Sequence, residues 1–187
     1  MATHRHRFGE TGKVSAKTVS REKDLFYALS DSPVGEIMLA GDSTHLYYLD
    51  FPLHGNLPNP DSSWARDQLR FESELQQLEE YFSGERETFD IPMKLLGSDY
   101  EISVWEALQN IAFGTVKTYG DVAKAIGQPE GAQAIGNANG KNPIPIIVPC
   151  HRVIAAKNNI GGFTGGVEKK QFLLQLEKAK NVQFNLL

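Results

Sequence analysis

The chain has 187 residues, 41% hydrophobic and 22% charged, which is enough for a packed core in one large domain or two small ones. No apolar run is long enough to span a bilayer, and the N-terminus lacks the apolar stretch of a secretory signal, so an intracellular, soluble, cytoplasmic protein (nuclear in a eukaryote) with no membrane partner is expected. The net charge of -4 is uneven: residues 1–95 carry 10 Lys and Arg against 16 Asp and Glu, and residues 96–187 carry 9 against 7, so only the second half could meet a polyanion without net repulsion.

Residues 1–23 have few large apolar side chains and no period, and read as a basic, mobile tail. Three short apolar runs follow, 25–30, 36–40 and 45–51, separated by the turn residues Asp31, Ser32, Pro33 and Gly41, Asp42, Ser43, which predicts an antiparallel meander. Residues 52–61 form a loop with three prolines. Leu69, Leu75, Leu78 and Phe82 recur at helical spacing within 64–82, and Gly84 ends that helix. Residues 89–96 are an extended connector, and Gly97 marks the expected boundary between a domain at 24–96 and a second at 97–187.

The second domain opens on a capping box, Ser98 with Glu101, ahead of a helix to about Asn110. Thr118 with Asp121 starts a shorter helix that ends at Gly127, and a third helix runs from Glu130 to about Asn139. Helix, tight turn and helix make a helix-turn-helix. That third helix holds little bulk: Gly131, Ala132, Ala134, Gly136, Ala138 and Gly140. Each glycine costs about 1 kcal/mol of helix propensity against alanine, so something must approach the backbone closely. Two candidates stand, a neighbouring helix or a DNA minor groove about 6 Å wide, narrower than an ordinary helix of roughly 10–12 Å. A groove contact of this kind would be largely independent of base sequence.

The only cysteine, Cys150, cannot form an internal disulfide, and the scattered histidines give no metal-ligand spacing, so no metal is expected. Pro143, Pro145 and Pro149 stiffen the approach to Cys150, and Asn142 is suited to brace the turn. A lone cysteine can be an inert buried residue. As a nucleophile it needs a base and a group that orients the base. His151 is adjacent, but on an extended segment it would face the other way, so contact needs a bend or a bridging water. Glu177, on the last helix, is a plausible partner for His151. The run Gly161, Gly162, Phe163, Thr164, Gly165, Gly166 is either a plain flexible loop or one that lets backbone approach a ligand, with Phe163 to stack and Thr164 to donate.

The run from Asn142 to Arg152, NPIPIIVPCHR, closely resembles the active-site signature of the O6-alkylguanine-DNA alkyltransferases. The likeness extends to Tyr119, Gly120, Asp121, Val122 and Ala123, to the glycine loop, to Leu173 through Glu177, and in the first half to Gly35 and Tyr81 through Gly84. It implies an α+β fold: a ribonuclease H-like N-terminal domain with an antiparallel sheet and a helix, then a mostly helical domain with the helix-turn-helix. It further implies a monomer that binds double-stranded DNA through the minor groove, flips out the damaged base, and irreversibly accepts its alkyl group without a cofactor.

By the same resemblance, Cys150 is the acceptor, His151 activates it through water, Glu177 orients His151, and Asn142 holds the turn. Tyr119 assists base rotation and protonates guanine N3. Val153, Phe163, Thr164 and Gly165 contact the base. DNA falls to Tyr119, Gly131, Ala132, Gln133, Ala134, Gly136, Asn137, Asn139, Gly140, Lys141 and Arg152. One residue departs from the pattern: Gln133 stands where the family usually has an arginine that fills the vacated base stack. Rival readings are a related lesion-binding protein without transfer, which usually lacks the cysteine, and a cysteine hydrolase, which would need an oxyanion hole.

Overall fold

The computed structural model describes residues 25–52, 59–129 and 131–183. The predicted tail, residues 53–58 of the predicted loop, and Glu130 at the start of the third predicted helix lie outside them.

Strands β1 (Phe26–Ser30), β2 (Ile37–Gly41) and β3 (Leu46–Asp50) form the predicted antiparallel meander, with Ala28 opposite Leu39 and Leu39 opposite Leu49. The first turn closes through Gly35, whose φ of +102° no β-branched residue would tolerate and whose N–H donates to Ser32 O at 3.0 Å. The second is built on Asp42, whose carboxylate accepts from the backbone N–H groups of Thr44 and His45, both at 2.8 Å.

The sheet is not wholly antiparallel. A two-residue strand, β4 (Ala65–Arg66), pairs parallel to β1 at the edge, giving the order β3-β2-β1-β4. Residues 64–71 therefore do not begin the helix, as the leucine spacing predicts. Ala65 N–H donates to Leu25 O and Asp67 N–H to Tyr27 O, and ladder bonds of this kind are incompatible with helical geometry. Leu69, counted in the apolar stripe, is 80% exposed on a single 3-10 turn. Helix α1 (Glu72–Ser83) follows, buries Leu78 and Tyr81, and stops at Gly84, whose φ is +81°. The connector covers the other edge of the sheet, with Leu46 N–H donating to Pro92 O and Lys94 N–H to Leu46 O.

In the second half, α2 (Asp99–Gln109) opens on the predicted box: Ser98 accepts from Glu101 N–H, and the Glu101 carboxylate accepts from Ser98 N–H. A second box, Thr118 with Asp121, opens α3 (Tyr119–Ala125) directly behind the short strand β5 (Lys117–Thr118). Helix α4 (Ala132–Gly140) packs on α2 and α3, so α3 and α4 are the two helices of the helix-turn-helix. Strand β5 pairs parallel with β6 (Val153–Ile154), and α5 (Val167–Leu176) is the last helix among the described residues.

The small residues of α4 serve two faces. Ala138 is buried and its carbonyl accepts from the Trp105 indole at 2.9 Å, while Ala132, Gln133, Ala134, Asn137, Gly140 and Lys141 are exposed. One apolar cluster runs from the sheet through α2, α3 and α4 to α5, so the core is continuous between the halves. No helix among the described residues is long and apolar enough to cross a membrane.

Candidate active site

The residues before Cys150 fold into a braced turn. Asn142 donates to Val148 O at 2.7 Å and accepts from Ile144 N–H at 3.1 Å, and Val148 N–H donates to Ile144 O. Buried inside it, Ile146 has φ +76°, a strained conformation for a β-branched residue that costs of order 1–3 kcal/mol and persists only because its surroundings hold it.

Sequence predicts an extended segment at Cys150. The chain instead turns, and Cys150–Arg152 form one 3-10 turn with Arg152 N–H donating to Pro149 O, so the two-face alternation of a strand does not apply to Cys150 and His151. Cys150 lies at the floor of a cleft whose walls include Asn139, Pro145, Phe163 and Gly165. Counting its open mouth, the cleft holds about 380 Å³.

Behind the cysteine sits a buried polar cluster centred on Glu177, which is 2% exposed. Its carboxylate accepts from His151 Nε2 at 2.8 Å, from Arg152 Nε and Nη2 at 2.9 Å each, from Tyr81 Oη at 2.8 Å and from Gly114 N–H at 3.2 Å. Burial works against the charge, but the hydrogen bonds from His151 and Arg152 and the positive charge of Arg152 outweigh it, and the carboxyl is held down to about 2. Burial lowers the pKa of His151, partly opposed by Glu177. The imidazole is therefore neutral at pH 7, with its proton on Nε2 facing Glu177, and Nδ1 keeps a lone pair, buried and without a protein partner.

Burial pushes the Cys150 thiol up to about 11, against the pull of the Asn142 side chain and the Lys170 charge. The resting sulfur is therefore a thiol that must lose its proton as it reacts, and a neutral imidazole is the group suited to take it. Tyr119, the first residue of α3, lies between α4 and the glycine loop. A Cβ added at Gly136 or Gly161 would come within 3.9 and 3.7 Å of its ring. Burial raises its pKa, and a thiolate at Cys150 would raise it further, so it stays protonated as a proton donor must.

The remaining predicted residues divide. Thr164 Oγ1 donates to Gly140 O at 2.9 Å, tying the glycine loop to the end of α4, and Phe163 stacks on Phe51 of the sheet half. Val153 is buried in β6, and Gly131 and Gly136 are half-buried. Arg152 is not a DNA contact. It is 6% exposed, bonded to Glu177 and to Ile111 O at 2.6 Å, and it secures the carboxylate instead. Asn139 is likewise no surface contact, since it is 6% exposed and donates to Cys150 O at 3.3 Å. Lys141 is exposed but already paired with Glu101 at 2.7 Å.

Two contributors escaped the sequence reading. Lys170, fully buried, donates to Val153 O at 2.6 Å and Gly162 O at 3.0 Å, joining β6 to the glycine loop. Burial lowers its pKa to about 8, an effect that a thiolate at Cys150 would oppose. Its signal was present: positions 170, 173, 174 and 177 share one face of a helix, and Leu173 and Leu174 point inward. Tyr81 reaches Glu177 from α1, 96 residues away, and no local pattern encodes that pairing.

Residues 25–95 match the family model described as 6-O-methylguanine DNA methyltransferase, ribonuclease-like domain, and residues 99–179 match the DNA binding domain of the same enzyme. The chain belongs to the 6-O-methylguanine DNA methyltransferase family. A methylated-DNA–protein-cysteine methyltransferase of Methanosarcina acetivorans is 43% identical over 153 residues, covering 82% of this chain and 98% of the relative. One from Mycobacterium tuberculosis is 42% identical over 156 residues, covering 83% and 94%. Among solved structures, the Mycobacterium tuberculosis enzyme in complex with DNA superposes with a TM-score of 0.77 at 40% identity, covering 83% of this chain and 96% of that one. The methyltransferase fold is thus α+β with a ribonuclease-like first half, and the parallel edge strand β4 makes its sheet mixed.

Proposed function

We propose that the protein reverses alkylation damage in DNA by moving the alkyl group from guanine O6 to Cys150, once per molecule. The observation that carries the reading is the sole cysteine at the floor of an open cleft with a neutral, Glu177-bound imidazole as its sequence neighbour. Cys150 Sγ attacks the alkyl carbon. The S–C bond forms, the C–O6 bond breaks, and the electron pair leaves on the guanine.

The thiol proton passes, through a bridging water, to His151 Nδ1, and Tyr119 gives one to guanine N3, so the base departs neutral; the imidazolium then returns its proton through solvent to the phenolate, and no net proton is consumed. Glu177 and Arg152 hold the imidazole, Asn142 holds the turn, and backbone at Cys150, Val153 and Thr164 reads the guanine edge, with Phe163 and Gly165 walling the base. The thioether product has no leaving group, hence a single turnover.

The DNA partner meets α4. Its exposed residues Ala132, Gln133, Ala134, Asn137, Gly140 and Lys141, with Gly131 and Gly136, suit a minor groove, and the lesion enters the cleft flipped out of the stack, as chemistry on a base edge requires. The protein acts as a monomer in the cytoplasm, with residues 24–96 and 97–187 as its two domains.

Intact-mass measurement after mixing with a duplex containing O6-methylguanine tests the reading. One methyl should appear on Cys150, stoichiometrically, and Cys150→Ser should bind the duplex without modification. An unmodified wild-type chain that still binds would mean lesion recognition alone, and repeated turnover of an acyl substrate would mean a hydrolase.

A further inference from the structure

The Cys150 cleft is not made by the helical half alone. Leu49, Asp50 and Phe51, at the end of β3, form one of its walls. Leu49 N–H donates to Pro143 O at 3.0 Å, which fixes the end of the strand against the active-site turn. Phe51, 5% exposed, stacks on Phe163 with centroids 5.9 Å apart and planes at 24°. A Cβ added at Gly165 would run into the Phe51 ring, so the loop and the ring are in close contact. The Lys169 ammonium lies 6.0 Å from the centroid of the Phe51 ring and donates to Gly165 O at 2.9 Å. The ring is thus held by the loop it faces rather than free to swing.

Space at the sulfur is short. The cavity itself measures about 70 Å³, less than half of the roughly 150 Å³ in which a buried apolar cavity holds benzene. A methyl group needs little of that volume. A purine alone already exceeds this space, so the base enters only as the walls yield, and a benzyl group demands more yielding than a methyl; the aromatic ring that the sheet half puts in that wall is Phe51.

We infer that Phe51 is a specificity-determining residue which, from the sheet half, limits the size of the alkyl group that Cys150 accepts. The inference rests on the alkyl-transfer reading above. It also places the size limit outside the helical half that carries Cys150, His151 and Glu177, so size preference can change without touching the groups that react.

The test compares single-turnover rates of adduct formation on duplexes carrying O6-methylguanine and O6-benzylguanine, for the wild type and for Phe51→Leu, Phe51→Ala and Phe51→Trp. Wild type should transfer methyl far faster than benzyl. Phe51→Leu and Phe51→Ala should each raise the absolute benzyl rate at least tenfold, and Phe51→Trp should lower it. Loss of structural support alone would slow both substrates, so a faster benzyl step is not a stability effect. Phe51→Leu keeps most of the buried volume and carries the test should Phe51→Ala fail to fold. A benzyl rate in Phe51→Leu equal to or below wild type overturns the inference, whereas wild type forming no methyl adduct overturns the alkyl-transfer reading instead.

Discussion

At the sulfur, burial and reactivity pull in opposite directions. Because burial holds the Cys150 thiol at about 11, only on the order of one molecule in ten thousand carries a thiolate at pH 7, each pKa unit being a factor of ten. Free protein should therefore react slowly with iodoacetamide, and the rate should climb about tenfold per pH unit from 7 toward 10 without a plateau. A plateau below pH 9, measured by stopped-time mass spectrometry, would show a thiolate already formed at rest. Removing the nearby ammonium by Lys170→Met should slow the reaction at pH 7, where the group, with a pKa of about 8, is charged and favours the anion, and should change it little at pH 10, where the group is neutral. Gln133 is exposed on α4, and Gln133→Arg adds a charge where the duplex is proposed to lie. DNA affinity should rise several-fold and the salt dependence steepen by about one phosphate contact, read from binding titrations at several salt concentrations. Equal affinity and equal slope would remove Gln133 from the interface.

The two capping boxes make a controlled pair among the elements. Ser98→Ala and Thr118→Ala each delete an N-cap oxygen that accepts from the third residue of its helix, and each should cost about 1 kcal/mol in denaturant unfolding. Only Thr118 precedes Tyr119, so only Thr118→Ala should also slow alkyl transfer, by loosening the first turn that aims the phenol. Equal transfer rates in the two variants would separate Tyr119 from its cap. Both boxes were legible in the sequence, as were the three strands of the meander, because a cap or a tight turn is encoded within a few residues. What sequence missed is non-local. Strand β4 exists because Ala65 and Asp67 find backbone partners about 40 residues earlier, and the leucine period through 64–71 carries no sign of that. Arg152 sits beside the histidine in sequence and so looks like a phosphate ligand, whereas its burial against Glu177 depends on where α5 docks.

Across the whole molecule, Glu177 joins the halves: its carboxylate gathers Tyr81 from α1, Gly114 from the loop after α2, and His151 and Arg152 from the active-site turn. Tyr81→Phe keeps the ring packing against Phe82, Phe89 and Phe113 and removes only the hydroxyl. The loss should be about 1.5–3 kcal/mol, the usual worth of a hydrogen bond to a charged group, and unfolding should remain one transition because the core is continuous. The same carboxylate makes the fold sensitive to acid. Its folded pKa of about 2 lies below the ordinary 4.5, so the native state holds fewer protons than the unfolded chain between those values. Its contribution, about 3 kcal/mol from a shift of this size, is complete above pH 4.5 and is lost progressively as pH falls toward 2. Glu177→Gln should be less stable than wild type at pH 7, because Arg152 is then left buried without a counter-charge. It should also lose less stability than wild type between pH 5 and pH 2.5. Urea midpoints for the two proteins across that range are the measurement, and parallel decline would place the acid-sensitive group elsewhere.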